Sequence, residues 1–306
     1  MISKYIDTHA HLYFPSFDPD FYDVVSRMKQ SNVEKVINIG VDLESSKKSI
    51  EMSRKFDGMY AAIGIHPTES LQCNDVAFEE LRSLILGCSL SIEIVQNCDV
   101  SQGNNVFSKS NLVAGSDVVS KNNVSAESMA SSQGLRSSEK KVVAIGEIGL
   151  DYYRMQVPRE VQQEAFRKQL RLAKEFQLPV IIHCREAYED TFQILIEEAM
   201  EKVVFHCFAG DLSFAKKVWE RGFYTSFTGI ITYPNAQSLR EVVRAAPFDR
   251  IMVETDCPFL PPQSHRGKRN EPSFLPEIVE KIEEIRNSKD IFQSLYRNSE
   301  LFYNLS

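Results

Sequence analysis

The strongest constraint on this chain is a rhythm. Short apolar runs at residues 5–12, 33–39, 59–65, 141–146, 179–182, 202–205, 222–227 and 250–253 alternate with stretches of helical spacing. Helices are expected at 18–30, at 42–56 behind an Asp42 N-cap, and at 75–86, 187–200, 211–221 and 234–245. A longer one follows Pro158 and carries Phe166, Leu170 and Ala173 on one face; two more, at 273–287 and 289–305, close the chain. Strand, helix, strand, repeated through eight strands, argues for parallel strands joined by helical crossovers. A doubly wound open sheet is the rival. It usually carries a Gly-rich phosphate loop after its first strand, and none is present here. The expected fold is therefore α/β, a (β/α)8 TIM barrel.

One interval breaks the rhythm. From His66 to Glu147 there are 81 residues, whereas one βαβ repeat needs roughly 30. Eleven of the forty residues from Ser101 to Lys140 are serine, and such a segment buries too little apolar area to offset the entropy of ordering it. Residues 90–95 alternate enough to be an added strand. The rest of 88–140 reads as a low-complexity surface insertion between strands 3 and 4 of a single domain spanning 1–306. Without the surplus, the chain has the usual size of such a barrel, roughly 250 residues.

Charge and cysteine content narrow the setting. The formal charge is −7, so no global positive field draws in nucleic acid. The first four residues lack a signal-peptide core, and no apolar run could span a bilayer. The six cysteines form no C-x-x-C pair. Reduced thiols in a cytoplasmic setting are the expectation, with a nuclear one open for a eukaryotic chain.

The chemistry collects at the strand ends. His9, His11, His66, Glu147, His183, His206 and Asp256 each stand where an apolar run gives out. In a parallel barrel those ends share one face, where barrel enzymes carry their active sites. Strand alternation would place Asp7, His9 and His11 on one side, with Asp7 fixing an imidazole tautomer from behind. Cys184, Cys207 and Cys257 each follow a candidate ligand, so alternation turns them toward the helix layer. A His/carboxylate set without thiolate suits Zn²⁺, Mn²⁺, Mg²⁺ or Fe²⁺. Six ligands exceed what one catalytic zinc takes. Two ions sharing a carboxylate fit better, and Glu147, the acid on the middle strand between the two His groups, is the natural bridge. A basic run, His265-Arg266-Gly267-Lys268-Arg269, lies in the loop after the last strand, a common phosphate site in barrels. Arg185 and Arg154 could join it, and Tyr152 or Tyr153 could stack on a base.

The blocks Asp-Thr-His-Ala-His (7–11), Gly-Ile-His-Pro (64–67), Gly-Glu-Ile-Gly-Leu-Asp-Tyr-Tyr (146–153), Pro-Val-Ile-Ile-His-Cys-Arg (179–185), Phe-His-Cys-Phe (205–208), Glu-Thr-Asp-Cys-Pro-Phe-Leu (254–260) and Arg-Asn-Glu-Pro (269–272) resemble the TatD family of metal-dependent deoxyribonucleases. The resemblance runs in order along nearly the whole chain, outside 88–140. It implies an amidohydrolase-type barrel with two, sometimes three, divalent metals. By matching position, His9, His11, Glu147 and Asp256 would hold one ion, and Glu147, His183 and His206 the other. Asp256 would also orient or deprotonate the attacking water, and His66 would approach the substrate phosphate or a further metal. Arg185, Arg266, Arg269 and Tyr152 are the candidate phosphate contacts. The implied activity is hydrolysis of DNA, often as a 3′→5′ exonuclease on single strands, in DNA repair or degradation. The alternatives are an amide or ester hydrolase, which would want a carboxylated lysine where Glu147 stands, and an inactive nucleic-acid-binding scaffold.

Overall fold

The computed structural model describes residues 3–96 and 141–305. Its first half runs β1 (Tyr5–Ala10), α1 (Phe21–Gln30), β2 (Val33–Ile39), α2 (Leu43–Lys55), β3 (Met59–Ile63) and α3 (Asp75–Gln96). The second half runs β4 (Val142–Asp151), α4 (Arg159–Glu175), β5 (Val180–Arg185), α5 (Tyr188–Glu197), β6 (Val203–Phe205), α6 (Leu212–Glu220), β7 (Tyr224–Phe227), α7 (Gln237–Ala245) and β8 (Ile251–Val253). Two helices, α8 (Leu275–Arg286) and α9 (Ile291–Tyr303), follow. All eight strands are parallel and pair in chain order. The ring closes where β1 meets the chain just past β8: Asp256 N donates to the His9 carbonyl (2.9 Å) and His11 N to that of Cys257 (2.8 Å). The expected (β/α)8 barrel is the observed one.

Two apolar layers hold it. Inside the ring, Ile6, Ile37, Ile39, Ala62, Val143, Ile181, Val204 and Met252 pack together, and Phe302, Tyr303 and Leu305 of the chain end join them. Outside, the alternate residues of the strands meet the helices in a larger cluster that includes Phe17, Phe166, Phe205 and Phe227. Burying each such side chain contributes about 1.5–3 kcal/mol relative to leaving it in water. With the interior filled by chain-end side chains below and apolar strand residues along its length, polar groups can gather only at the upper rim.

The structure corrects several local readings. Residues 90–95, expected as a strand, continue α3. A six-residue alternation is too short to separate the two periods, and a helix already running can carry through it. Residues 97–140 of the expected insertion lie outside the described residues. Strand β4 extends past the expected residue 146 to Asp151. Gly149 makes this possible: at φ +139° its α-carbon lies so close to β5 that any β-carbon would drive into the His183 carbonyl oxygen. Among the described residues, no helix is long and apolar enough to cross a membrane.

Candidate metal centre

The groups singled out at the strand ends converge on a buried basin, with Glu147 at its centre. Both His9 and Glu147 sit at breaks in strand register: β1 slips against β2 between Asp7 and Ala10, and β4 slips against β5 between Ile145 and Ile148. Such irregularities re-aim a side chain, and they recur beside active sites. The first slip overturns the reading of Asp7. With alternation broken, Asp7 accepts from Thr255 N (2.9 Å), Thr255 Oγ1 (2.6 Å) and His9 N (3.3 Å). It ties the barrel seam together and touches no imidazole nitrogen.

Glu147 divides its two oxygens. Oε1 lies 2.7 Å from His183 Nδ1, 2.8 Å from His206 Nε2 and 3.4 Å from His66 Nε2. Oε2 lies 3.4 Å from His9 Nε2 and 3.9 Å from His11 Nε2. Asp256 Oδ1 completes the second group, 3.5 Å from His11 Nε2 and 3.8 Å from His9 Nε2. The side chains that could hold a cation therefore fall into overlapping triads, His9–His11–Asp256, His9–Glu147–His206 and His66–Glu147–His183. Asp256 reaches its place through a left-handed backbone (φ +55°) just past β8, a conformation Asp tolerates better than most residues.

Among the described residues His9 Nδ1 makes no hydrogen bond; other rings have an acceptor or a charge behind them. His11 Nδ1–H donates to the Ile39 carbonyl at 2.9 Å, which leaves its Nε2 lone pair facing the basin. His183 turns Nε2 to Asp151 Oδ2 (3.1 Å), and His206 turns Nδ1 toward Glu254 Oε1 (3.5 Å). For His183 the acceptor behind the ring can take the outer proton and leave the inner nitrogen to the basin; His206 Nδ1 makes no hydrogen bond, and Glu254 stands behind it only as a nearby charge. Asp151 is anchored in turn by the backbone N–H groups of Tyr153 and Arg154. Glu254 accepts Cys207 N at 2.6 Å, holding the left-handed turn (φ +43°) that ends β6. His9 stacks on His206 with centroids 4.0 Å apart, and its Nε2 is 3.2 Å from that of His11.

His66 differs. Its Nδ1 accepts Thr68 N–H (3.2 Å) and caps the turn that follows, so its proton sits on Nε2, facing the basin as a donor.

The charges agree with this arrangement. Burial opposes ionisation of Glu147, yet His206, His66 and His183 outweigh it and hold its carboxyl well below the usual range. Burial likewise works against Asp256, and His11 and His9 overcome it, so its carboxyl also stays below the usual value. Burial pulls His9 and His66 down toward the neutral form. For His206, the Glu147 charge more than offsets burial and raises the ring well above its ordinary value. Inward lone pairs and two carboxylates in a buried space form a donor set that a divalent cation satisfies and that is self-repelling without cations or protons. The residues fit the metal that the sequence implies.

Other candidates fall elsewhere. Tyr152 is buried and donates its hydroxyl to Asp190 (2.8 Å), under the Arg159 guanidinium, so the geometry lends its phosphate reading no support. Arg269 is held by Asp20, 2.7 Å from Nη1 to Oδ1 and 2.8 Å from Nη2 to Oδ2, and covers Phe17. With its fork filled by a carboxylate, the phosphate reading of Arg269 has no support in the geometry. Arg266 lies over the Tyr233 ring and Arg185 over Tyr153; Arg154 faces Asp151 at 3.9 Å. His265 is taken up by Glu277 and Phe274. None of Cys184, Cys207 and Cys257 joins a metal-capable cluster among the described residues. Burial raises all three thiols, Cys184 to about 12. Sequence reasoning missed Asp151 and Glu254 as ring-orienting acids. Their signal was present: each stands at a strand end within four residues of a chosen ligand, Glu147 and Asp256 respectively.

The family model described as TatD related DNase matches residues 6–304 of the chain. The metal-dependent hydrolase YabD of Bacillus subtilis is 36% identical over 282 residues, 92% of this chain and 90% of that protein. The 3′-5′ ssDNA/RNA exonuclease TatD of Cronobacter sakazakii is 29% identical over 279 residues, 88% and 86% of the two chains. Among solved structures, the TatD homologue YjjV of Escherichia coli K12 superimposes with a TM-score of 0.77 at 27% identity, covering all of both chains.

Proposed function

The chain belongs to the TatD-related DNase family of metal-dependent hydrolases, and from that premise we propose that it hydrolyses DNA phosphodiester bonds, removing nucleotides from the 3′ ends of single strands. The observation that carries the reading is the division of Glu147 between two imidazole groups, Oε1 toward His183 and His206, Oε2 toward His9 and His11. His9, His11, Glu147 and Asp256 would hold one divalent ion, and Glu147, His183 and His206 a second; Mg²⁺, Mn²⁺ and Zn²⁺ are the candidates. Bound there, such ions supply Lewis acidity at the phosphoryl oxygens and bring a water's pKa near neutral.

The chain's own groups do the rest. Asp256, held ionised, orients the attacking water and takes its proton. His66 offers Nε2–H to a non-bridging phosphate oxygen, the role its tautomer suits. Asp151 and Glu254 keep His183 and His206 turned inward. Arg185, beside the mouth, gives a cation to a neighbouring phosphate. The test is digestion of end-labelled single- and double-stranded oligonucleotides with Mg²⁺, Mn²⁺ or Zn²⁺, with EDTA as control. Metal-dependent mononucleotide release from 3′ ends supports the reading; intact oligonucleotides with every ion overturn it.

A further inference from the structure

Two half-exposed aromatic rings stand beside the basin, and no step above uses either. Phe259, 48% exposed, lies in the loop after β8, edge-on to Phe14 (centroids 5.4 Å) and 6.2 Å from the His11 ring. Asn270 secures that loop, its Nδ2 donating to the carbonyls of Thr255 (2.8 Å) and Phe259 (2.6 Å). Tyr153, 58% exposed, follows β4 directly, with the Arg185 guanidinium carbon 3.9 Å from its ring centroid. Asp151, the residue behind His183, accepts the Tyr153 N–H.

The strand order gives these rings their meaning. In a ring ordered β1 to β8 and closed between β8 and β1, the β8/β1 seam lies opposite the β4/β5 pair. A line from Phe259 to Tyr153 thus crosses the mouth over Asp256 and His11 on one side and His183 on the other, with Glu147 between. Each end offers a flat π-surface, and Arg185, which has no carboxylate partner among the described residues, adds a cation at one end.

We propose that a single nucleic-acid strand crosses the mouth along this diameter. The base on one side of the scissile phosphate stacks on Phe259, and the base on the other side stacks on Tyr153, whose Arg185 neighbour meets the adjoining backbone. Every base has a π-face, so stacking of this kind tolerates any sequence. It demands unpaired bases, because a base in a duplex is already stacked and paired. The inference rests on the phosphodiesterase reading and adds to it the path of the strand and the source of single-strand preference.

The test compares wild type with Phe259→Ala, Tyr153→Ala and the ring-preserving Phe259→Tyr and Tyr153→Phe. Substrates are short single strands with either natural bases or abasic sites flanking the cleaved bond. A parallel readout is the fluorescence of 2-aminopurine at those positions in a cleavage-resistant phosphorothioate strand. Each alanine variant is expected to raise KM for the natural strand by roughly five- to hundredfold and to abolish its advantage over the abasic strand. The 2-aminopurine quenching seen with wild type should be lost, and the ring-preserving variants should restore both. A general loss of structure would slow natural and abasic strands alike. Wild-type cleavage that ignores abasic substitution, or alanine variants that still quench 2-aminopurine, would overturn the strand path while leaving the phosphodiesterase reading intact. A wild-type protein that neither binds nor cleaves these strands would overturn both.

Discussion

The basin and the loop after β8 both bring ionisable groups to the barrel mouth, and they dispose of them in opposite ways. In the basin, Glu147 and Asp256 face the inner nitrogens of rings whose outer nitrogens turn toward the Ile39 carbonyl, Asp151 and Glu254. Negative oxygens and ring nitrogens are left facing one another, an arrangement that calls for protons or a cation. In the loop, Glu271 and Arg269 are already matched. Arg27 grips Glu271 with Nε and Nη2 at 2.7 and 2.6 Å, and Arg269 grips Asp20 in the same two-pronged way. Those pairings fasten the loop to the N-cap and the last turn of α1, and the loop carries Asn270, which holds Phe259 and Thr255 in turn. A cluster still short of a partner is built for a ligand, and a cluster whose members satisfy each other is built for the fold.

The largest expected effect separates the two regions outright. Glu147→Gln keeps the shape and halves the ligand capacity, so metal-dependent hydrolysis should fall by at least about a thousandfold while the circular dichroism spectrum stays unchanged. Undiminished turnover in that variant would remove the bridging role. Next come the acids behind the rings. Asp151→Asn and Glu254→Gln should each weaken metal affinity by roughly 10–100-fold in titration calorimetry, since neither touches the ion yet each fixes a ligand's orientation. Affinity equal to wild type would mean that the rings are oriented by packing alone.

A third difference is in protons. His206 and His183 are raised above their ordinary values, with burial opposed and outweighed by Glu147 and, for His183, Asp151. Metal must displace those protons, so binding near pH 7 should release about one or more, measurable as a dependence of the binding heat on buffer ionisation enthalpy. The loop should show no such linkage.

The smallest effects concern the loop. Arg269→Ala should change KM for oligonucleotides by less than about threefold and lower Tm by about 3–6 °C, the size expected for lost charge-assisted hydrogen bonds. A large rise in KM with unchanged Tm would return Arg269 to the phosphate site. Asp20 supplies the pH signature. Its bond to Arg269, against a slight opposing burial and helped by Arg27, holds its carboxyl at about 2. Its stabilising contribution is therefore present above about pH 4 and lost as pH falls toward 2. The Tm gap between wild type and Asp20→Asn should be steady near neutrality and close across that acid range.

Much of this was legible in the residues, for a physical reason. Parallel strands end on one face, so His66, His183, His206 and Asp256 could be placed together from the apolar runs that precede them. The register slips in β1 and β4 could not be read, because a bulge leaves no periodic trace. Asp7 was accordingly given to an imidazole although it holds Thr255. Arg269 looked free because its partner Asp20 lies 249 residues away in the chain. Tyr152 and Tyr153 are alike in sequence, and only the turn after β4 sends one to Asp190 and the other to the mouth.

The most direct measurement is anomalous diffraction from crystals of the protein equilibrated with Mn²⁺ or Zn²⁺. Two peaks astride Glu147, one against His9, His11 and Asp256 and the other against His183 and His206, are the expected result. A lone peak out of coordinating reach of the Glu147 carboxylate would contradict the shared bridge on which the rest depends.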